Sequence, residues 1–600
     1  MLRWSTLVVA AAAIVTVSCN LNVENPNDPD KLRSLGQPSG LQALLGGGVR
    51  TWVETRENYY VMPLDAQADN YTASWNNAAM RFYSSVGSDC PIRCGWTNSS
   101  TAPEAAGGPT VEVLWYGYYN VLATANNVLI GIQDLHVCFD DDCSVDSTLT
   151  QRNKSIARML QGMALAGIAM IYDQGFIVDE TTDLSVPKNL PFHTRQEVRD
   201  AAIAKLDQAY TEAGVTTWST PGGTDPSWFG LQRGRTYTNV QIRQLIRTME
   251  AELIAMFPRN SAENTAADWA AVANYASQGI SSGTPYQFEF YIDQTTRECG
   301  VACIKTWGNS VSTERVDTRV AAILTTNHQD PWPAPSGNPC PTISADKRVG
   351  DGRYGPAGNK NYNQVAIAPG DSASGTDYAC AGVAIFPPAR GSYHQSNLQH
   401  VRYHQLAYRG EDLPADDGTG QDPLYTPQMN DLLWAEGLIR SNTNLPLAAT
   451  LINNSRIGRG SVGCATPGVG GCGFVPLTGA EGVPALIAAL QYEQEIEFMG
   501  QGVTPFFNRR RSGYNAPAGG GRPAYVDGLI TGTPRHMPVP AKELDILTRA
   551  VYTFGGPTLP DMSRSVDGGQ RQETVADRFR VLQNARPGYL TRFLPAEMRF

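Results

Sequence analysis

Signatures of covalent chemistry are missing from this chain. It contains no G-x-S-x-G elbow, no H-E-x-x-H zinc helix, no P-loop and no complete EF-hand loop. Those absences argue against the corresponding hydrolases, metalloproteases, nucleotide-driven enzymes and calcium sensors. Charge is also scarce. Only 17% of residues are charged and the formal net charge is −10, which suits neither a nucleic-acid backbone nor a polybasic grip on anionic lipid. After the N-terminal segment no apolar run reaches membrane-spanning length. No C-x-x-C pair occurs, so the cysteines lack the usual spacing of a zinc site.

What is present starts at the N-terminus. MLRWSTLVVAAAAIVTVSC has one cation, Arg3, then an uncharged apolar run from Trp4 to Val17, with Ser18 before Cys19. The run is too short for a permanent span and reads as an export signal. A small residue before cysteine, followed by the polar stretch NLNVENPNDPDK, is the pattern of a bacterial lipoprotein, although Thr16 stands where leucine is usual. The expectation is cleavage of residues 1–18, acylation of Cys19, a tether over 19–40 and one large domain over 41–600.

Eleven cysteines less Cys19 leave an even number. They fall as Cys90/Cys94, Cys138/Cys143, Cys299/Cys303, Cys464/Cys472 and the more distant Cys340/Cys380, which in an oxidising compartment reads as five disulfides. Zinc is the disfavoured alternative.

Helical periodicity recurs along the chain. Leu41 to Trp52 pairs with Val111 to Ile132, the helix over 154–172 with Arg195 to Ala213, Met429 to Arg440 with Leu447 to Arg456, and a helix ending before Pro258 with Trp269 to Ile280. Helix, turn, helix, about four times over, predicts a mainly α fold of degenerate tetratricopeptide-like hairpins with minor β structure. Loop-rich insertions run over about 59–110, 284–425 and 458–482. Long stapled loops of this kind are where function is expected.

Within them, Tyr71, Trp75, Asn76, Arg81 and Trp96 combine flat apolar rings with planar hydrogen-bond donors, a pairing that suits sugar rings or peptides. The competing reading is that these rings pack the loop to the body. Tyr286, Phe288, Phe290 and Tyr291 form a second aromatic group in a strand or extended loop, and Tyr286 and Tyr291 join the candidate ligand residues. Other motifs favour plain structural roles. His400 and His404 are spaced i, i+4 without a carboxylate beside them, and Asp416, Asp417, Gly418 and Asp422 read as an acidic turn. Gly468, Gly470 and Gly473 spell G-x-G-x-x-G with no strand before them, across a cysteine pair. Glu493 and Glu497 lie one helical turn apart, as ion-pair partners for arginines such as Arg509 to Arg511 rather than as an acid/base pair. No metal or cofactor is expected.

Several segments, in order, resemble motifs of the SusD/RagB family of outer-membrane nutrient-binding lipoproteins. VLWYGYYNVLATANNVL is similar to its W-x-x-x-Y…A-N helix through Trp115, Tyr119, Ala125, Asn126 and Asn127. ARMLQGMALAGIAMIYDQG matches through Ala157, Arg158, Leu160 and Gly175, with Gln161 in place of the usual arginine. LLWAEGLIRSN…ATLINNSRIGRG resembles the family's AEA…IN-x-x-R stretch through Ala435, Glu436, Ile452, Asn453 and Arg456, and HMPVPAKEL its P-I-P-x-x-E-L signature through Pro538, Val539, Pro540, Glu543 and Leu544. YEQEIEFMGQGVTPFFNRRR keeps Glu493, Glu497, Gly500 and Arg509 but has Gln494 where arginine is usual and Asn508 near the expected aspartate, so the buried ion network implied by that motif is altered. The resemblance implies a binder, not an enzyme, tethered to the outer membrane by its lipid and displayed at the cell surface. It would pass a glycan or a peptide to a SusC-like TonB-dependent transporter.

Overall fold

In the computed structural model the described residues are 35–58, 60–73, 77–85, 90, 93–99, 102, 110–140, 143–144, 146–221, 235–283, 286–292, 314–324, 344–353, 377–380, 396, 398–400, 402, 420–515 and 528–553. Cys19, Trp75, Asn76, Cys299, Cys303, Cys340, His404 and residues 416–418 lie outside them, as does the leader.

The main helices are α1 (Pro38–Glu57), α2 (Thr110–Gln133), α3 (Thr148–Ile171), α4 (Arg195–Ala213), α5 (Asn239–Met256), α6 (Trp269–Ser277), α7 (Pro427–Arg440), α8 (Leu445–Arg456), α9 (Val483–Glu497) and α10 (Thr504–Arg510). Strands are short: β1 (Tyr71–Ala73), β2 (Phe288–Ile292), β3 (Glu314–Val316), β4 (Val349–Arg353), β5 (Tyr378–Cys380), β6 (Leu398–His400) and β7 (Gly420–Tyr425), with a few two-residue bridges besides.

All four expected hairpins form: α1 packs on α2, α3 on α4, α5 on α6 and α7 on α8. Successive hairpins also touch, α2 on α3, α4 on α5 and α6 on α7, so the apolar stripes merge into one stack. In α1 the stripe is Leu41, Leu45, Val49, Trp52 and Val53, all buried. Local signals set the ends. Thr194 with Glu197, and Thr238 with Gln241, make complete capping boxes at the starts of α4 and α5. α5 stops at Met256, two residues before Pro258, whose missing amide hydrogen cannot extend the ladder. At Gly437 in α7 an added Cβ would sit 2.6 Å from the backbone nitrogen of Ala273 in α6, so only glycine permits this crossing. Where the tether was expected to reach residue 40, α1 already begins at Pro38 and Leu35 is buried.

Among its described residues the insertion over 284–425 contributes mostly strands, with one short helix, Thr318–Leu324. β2 pairs antiparallel with β7, the strand the second aromatic group suggested, and Phe288 and Phe290 are buried. β1 pairs with β3, and β4, β5 and β6 form a small mixed sheet. Around the two lies a second core of Tyr71, Val316, Val320, Tyr378, Leu398, Ile496 and Met499.

Three cysteine pairs are disulfides: Cys90–Cys94, Cys138–Cys143 and Cys464–Cys472. The Cys138–Cys143 staple has a local purpose. It holds Asp140, whose Oδ2 accepts the Leu149 amide at 2.8 Å and places a carboxylate at the positive end of α3. The pairings proposed for Cys299/Cys303 and Cys340/Cys380 lie outside the described side chains. Among the described residues no helix is long and apolar enough to cross a membrane.

Candidate functional site

The described aromatic candidates are largely buried. Tyr71 on β1 is wholly buried, with its Oη 2.8 Å from His400 Nδ1. Trp96 is 1% exposed and packs on Tyr83 at 4.5 Å between ring centres, while its carbonyl accepts Thr553 Oγ1. Both were expected to offer ring faces to a ligand. The structure instead uses them as packing: Tyr71 sits in the second core beside Val316, and Asn98 Nδ2 donates to the carbonyls of Val539 and Tyr552, so a C-terminal strap covers the Trp96 loop. Tyr286 is half-buried, donates to the Gln241 carbonyl and leans on Tyr237. Arg81 is half-buried in the short helix Met80–Ser84, and Tyr291 pairs in register with Gln421. Trp75, Asn76 and the Tyr291 side chain lie outside the described side chains, so the candidate surface stands as an expectation, with its Tyr71 and Trp96 buried.

The described residues do gather a group of charges. Arg348 sits just before β4, fully buried, with Nη2 2.8 Å from Asp346 Oδ2 and Nη1 2.8 and 3.1 Å from Glu493 and Glu497. Ser455 Oγ on α8 lies 2.7 and 2.6 Å from the same two glutamates. Glu497 also holds Arg402 at 2.6 Å and Arg459 at 2.5 Å, and Arg459 reaches on to Asp377 at 2.5 Å. Arg456 approaches Glu493 at 3.9 Å. Asp346, Asp377, Glu493 and Glu497 are thus balanced by Arg348, Arg402, Arg456 and Arg459.

Burial by itself would raise the Glu497 carboxyl, but Arg402, Arg459 and Arg348 outweigh it and hold the group well below the usual carboxylate range. No carboxylate of this network reaches solvent, and each is paired with an arginine. His400 is pushed down to about 3 by burial and stays neutral, its Nδ1 engaged by Tyr71. No group of His, Cys, Asp and Glu among the described residues could hold a metal ion.

The network is an anchor. From the insertion, Asp346, Arg348, Asp377 and Arg402 meet in it. Ser344 Oγ donates to the Leu324 carbonyl, the Asp377 amide to the Arg348 carbonyl, the Ser396 amide to the Val316 carbonyl, and Arg402 reaches Glu497. The stapled loop over 458–475 closes over the same point, through Lys347 N to Gly460 O at 2.9 Å and Gly473 N to Ala345 O at 2.8 Å. Through these residues the insertion is fixed to α8 and α9 by buried charge, and it is the candidate functional region.

Sequence reasoning named Glu493 and Glu497 as ion-pair partners but chose the wrong arginines. The run Arg509–Arg511 projects three ways. Arg509 lies 3.8 Å from Glu495 and donates to the Gly528 carbonyl. Arg510 donates to the carbonyls of Met170 and Met256, satisfying the C-terminal ends of α3 and α5. Arg511 meets Glu436 through both Nη atoms at 2.7 Å. The two departures noted in the sequence lie together here: Gln494 Nε2 donates to Glu436 at 2.8 Å, and Arg511 donates to Gln494 Oε1 at 3.0 Å and to Asn508 Oδ1 at 2.7 Å. Two neutral amides line one ion pair, and Glu436 is held down to about 2 because Arg511 and Arg440 outweigh its burial.

No protein-family model and no curated protein matches the sequence. Solved structures do match. A SusD superfamily protein from Parabacteroides distasonis aligns with a TM-score of 0.52 at 11% identity, over 84% of this chain and 97% of that one. A SusD superfamily protein from Bacteroides vulgatus gives 0.48 at 12% identity over 85% and 96%. A SusD-like carbohydrate binding protein from the same species gives 0.45 at 12% identity over 78% and 82%. The Parabacteroides comparison, which spans nearly all of its partner, carries the conclusion that the order of motifs had suggested: this chain has the helical-hairpin fold of the SusD superfamily.

Proposed function

We propose that the chain is a surface lipoprotein of the outer membrane that captures an oligomeric nutrient, a glycan in preference to a peptide, and hands it to a SusC-like TonB-dependent transporter. The observation that supports this most is the fold, with its large insertion pinned as a separate face on the helical stack. The export signal with Cys19 and the disulfide-forming cysteine pairs fit the same location. Residues 1–18 would be removed, Cys19 acylated, and the chain up to α1 would act as the tether. Binding would proceed without covalent chemistry, by stacking and hydrogen bonds from the insertion face. Trp75, Asn76, Arg81 and Tyr291 are the proposed contacts; Tyr71 and Trp96 are set aside because they are buried.

Calorimetry of the Cys19-truncated protein against panels of oligosaccharides and of peptides tests the reading. Saturable glycan binding weakened by Trp75→Ala supports it. Peptide binding alone would reassign the ligand, and binding of neither class, or release of reducing ends from the glycan, would overturn it. Co-purification with a large β-barrel from its own membrane tests the partner.

A further inference from the structure

Away from the insertion face, a cavity of about 30 Å³ lies where α1, α2, α3, α5 and β7 meet. Its wall is mostly apolar, with Trp52, Met163 and Met249, but polar groups enter it from three elements: Arg56, Tyr118 and Glu252, with Tyr425 beside them.

Three of those groups are already joined. Arg56 Nη2 is 3.1 Å from Glu252 Oε1, Tyr425 Oη donates to Glu252 Oε2 at 2.7 Å, and Thr504 Oγ1 lies 2.7 Å from Glu252 and 2.9 Å from Arg56. Tyr118 is different. It is 2% exposed, its Oη makes no hydrogen bond to any described residue, and it feels the charges of Arg56, Glu57 and Glu252. A hydroxyl that no protein group satisfies is stable only where water reaches it, and Tyr118 lines the cavity. The ring cannot swing away to find one, because it is seated against Gly167 of α3, where a Cβ would stand 2.4 Å from its Cε1 and Cζ.

A cavity needs roughly 10–15 Å³ to hold a water molecule, so this one has room for about two, and it offers the several polar neighbours that buried water requires. We infer that the cavity is a hydration site, whose water joins Tyr118 Oη to the Arg56–Glu252–Tyr425 cluster. The water satisfies the phenol and hydrates a buried ion pair at the junction of the first three hairpins. This inference is independent of the ligand and the transporter.

A high-resolution crystal structure of the protein, together with xenon-pressurised crystals, tests it. The expected result is ordered water within hydrogen-bond reach of Tyr118 Oη, no xenon at that place, and loss or displacement of the water in Tyr118→Phe. A dry cavity in the unmodified protein, xenon beside Tyr118, or a direct protein partner for Tyr118 Oη would overturn it. If Tyr118→Phe does not fold, the first two measurements on the unmodified chain still decide.

Discussion

Arg348→Met removes the cation at the centre of the anchor while keeping an apolar stem in place. Glu497 would retain Arg402 and Arg459 at 2.6 and 2.5 Å. Glu493 would keep Ser455 Oγ at 2.7 Å and, at 3.9 Å, Arg456, while Asp346 would keep the Tyr492 hydroxyl at 2.8 Å and the backbone amide of residue 348 at 2.9 Å. Two carboxylates at the bottom of a buried cluster would thus lose their nearest countercharge. Breaking a buried pair from one side costs about 3–5 kcal/mol, because the other charge stays buried, and the upper end applies where two charges are orphaned. Urea unfolding of the disulfide-intact protein, followed by circular dichroism, measures the loss. Protease digestion under native conditions should first cut near 344–353, where the insertion is tied down. Adding Glu493→Gln should recover part of the loss by deleting one orphan charge. The deficit should also shrink at acid pH, where the orphans take up protons. A loss below about 1 kcal/mol, or no rescue by Glu493→Gln, would refute the view that Arg348 compensates these carboxylates.

Three further outcomes follow from named contacts. Glu250 is buried beside Asp207 and Arg247, and burial pushes it up to about 8; the unfolded chain ionises near 4.5, so stability should fall as pH rises from about 4.5 through 8, and Glu250→Gln should flatten that slope in a pH series of thermal melts. Gln494→Arg alone places a second cation beside Arg511 and should destabilise by roughly 1–3 kcal/mol, whereas Gln494→Arg with Asn508→Asp should recover most of it; additive effects in a double-mutant cycle would show that the two amides do not act as a pair. Gly437→Val should cost several times the ~1 kcal/mol of an ordinary substitution, since its side chain would meet α6 backbone, and near-native thermal stability would contradict the close crossing.

The family-like motifs turn out to be joints of the helical stack. Tyr116, in the Trp115–Tyr119 helix, donates to Glu543 of the HMPVPAKEL segment at 3.0 Å, and Met537 N reaches the Ile171 carbonyl at the end of α3 at 2.8 Å. Arg158 and Gln161 grip Glu180 at 2.7 and 2.9 Å, and Gln161 also reaches Asn126 at 2.7 Å. Joints like these must repeat wherever the fold does, which is why such motifs reveal architecture and leave the ligand unnamed. The hairpins were legible for a similar reason: periodicity, capping boxes and proline act within one or two turns of helix, and α4 runs from Arg195 to Ala213 as its spacing indicated.

The candidate site was legible only in part. Rings in a stapled loop have the composition of a binding platform, but burial depends on what distant chain covers them, and Trp96 is covered by a strap more than four hundred residues away, through Thr553. The same holds for charge. Arg509, Arg510 and Arg511 look equivalent in sequence, yet helical rotation aims each at a different neighbour: a loop carbonyl, two helix ends and Glu436. The sequence by itself determined the short-range pairs Cys90–Cys94, Cys138–Cys143 and Cys464–Cys472 and the four hairpins, because each rests on residues close along the chain. Only the tertiary structure decided which rings are core, which arginine neutralises Glu493 and Glu497, and where the insertion is anchored. Those depend on contacts such as Arg348 with Glu497, 149 residues apart, which loop closure and packing select and no local pattern encodes.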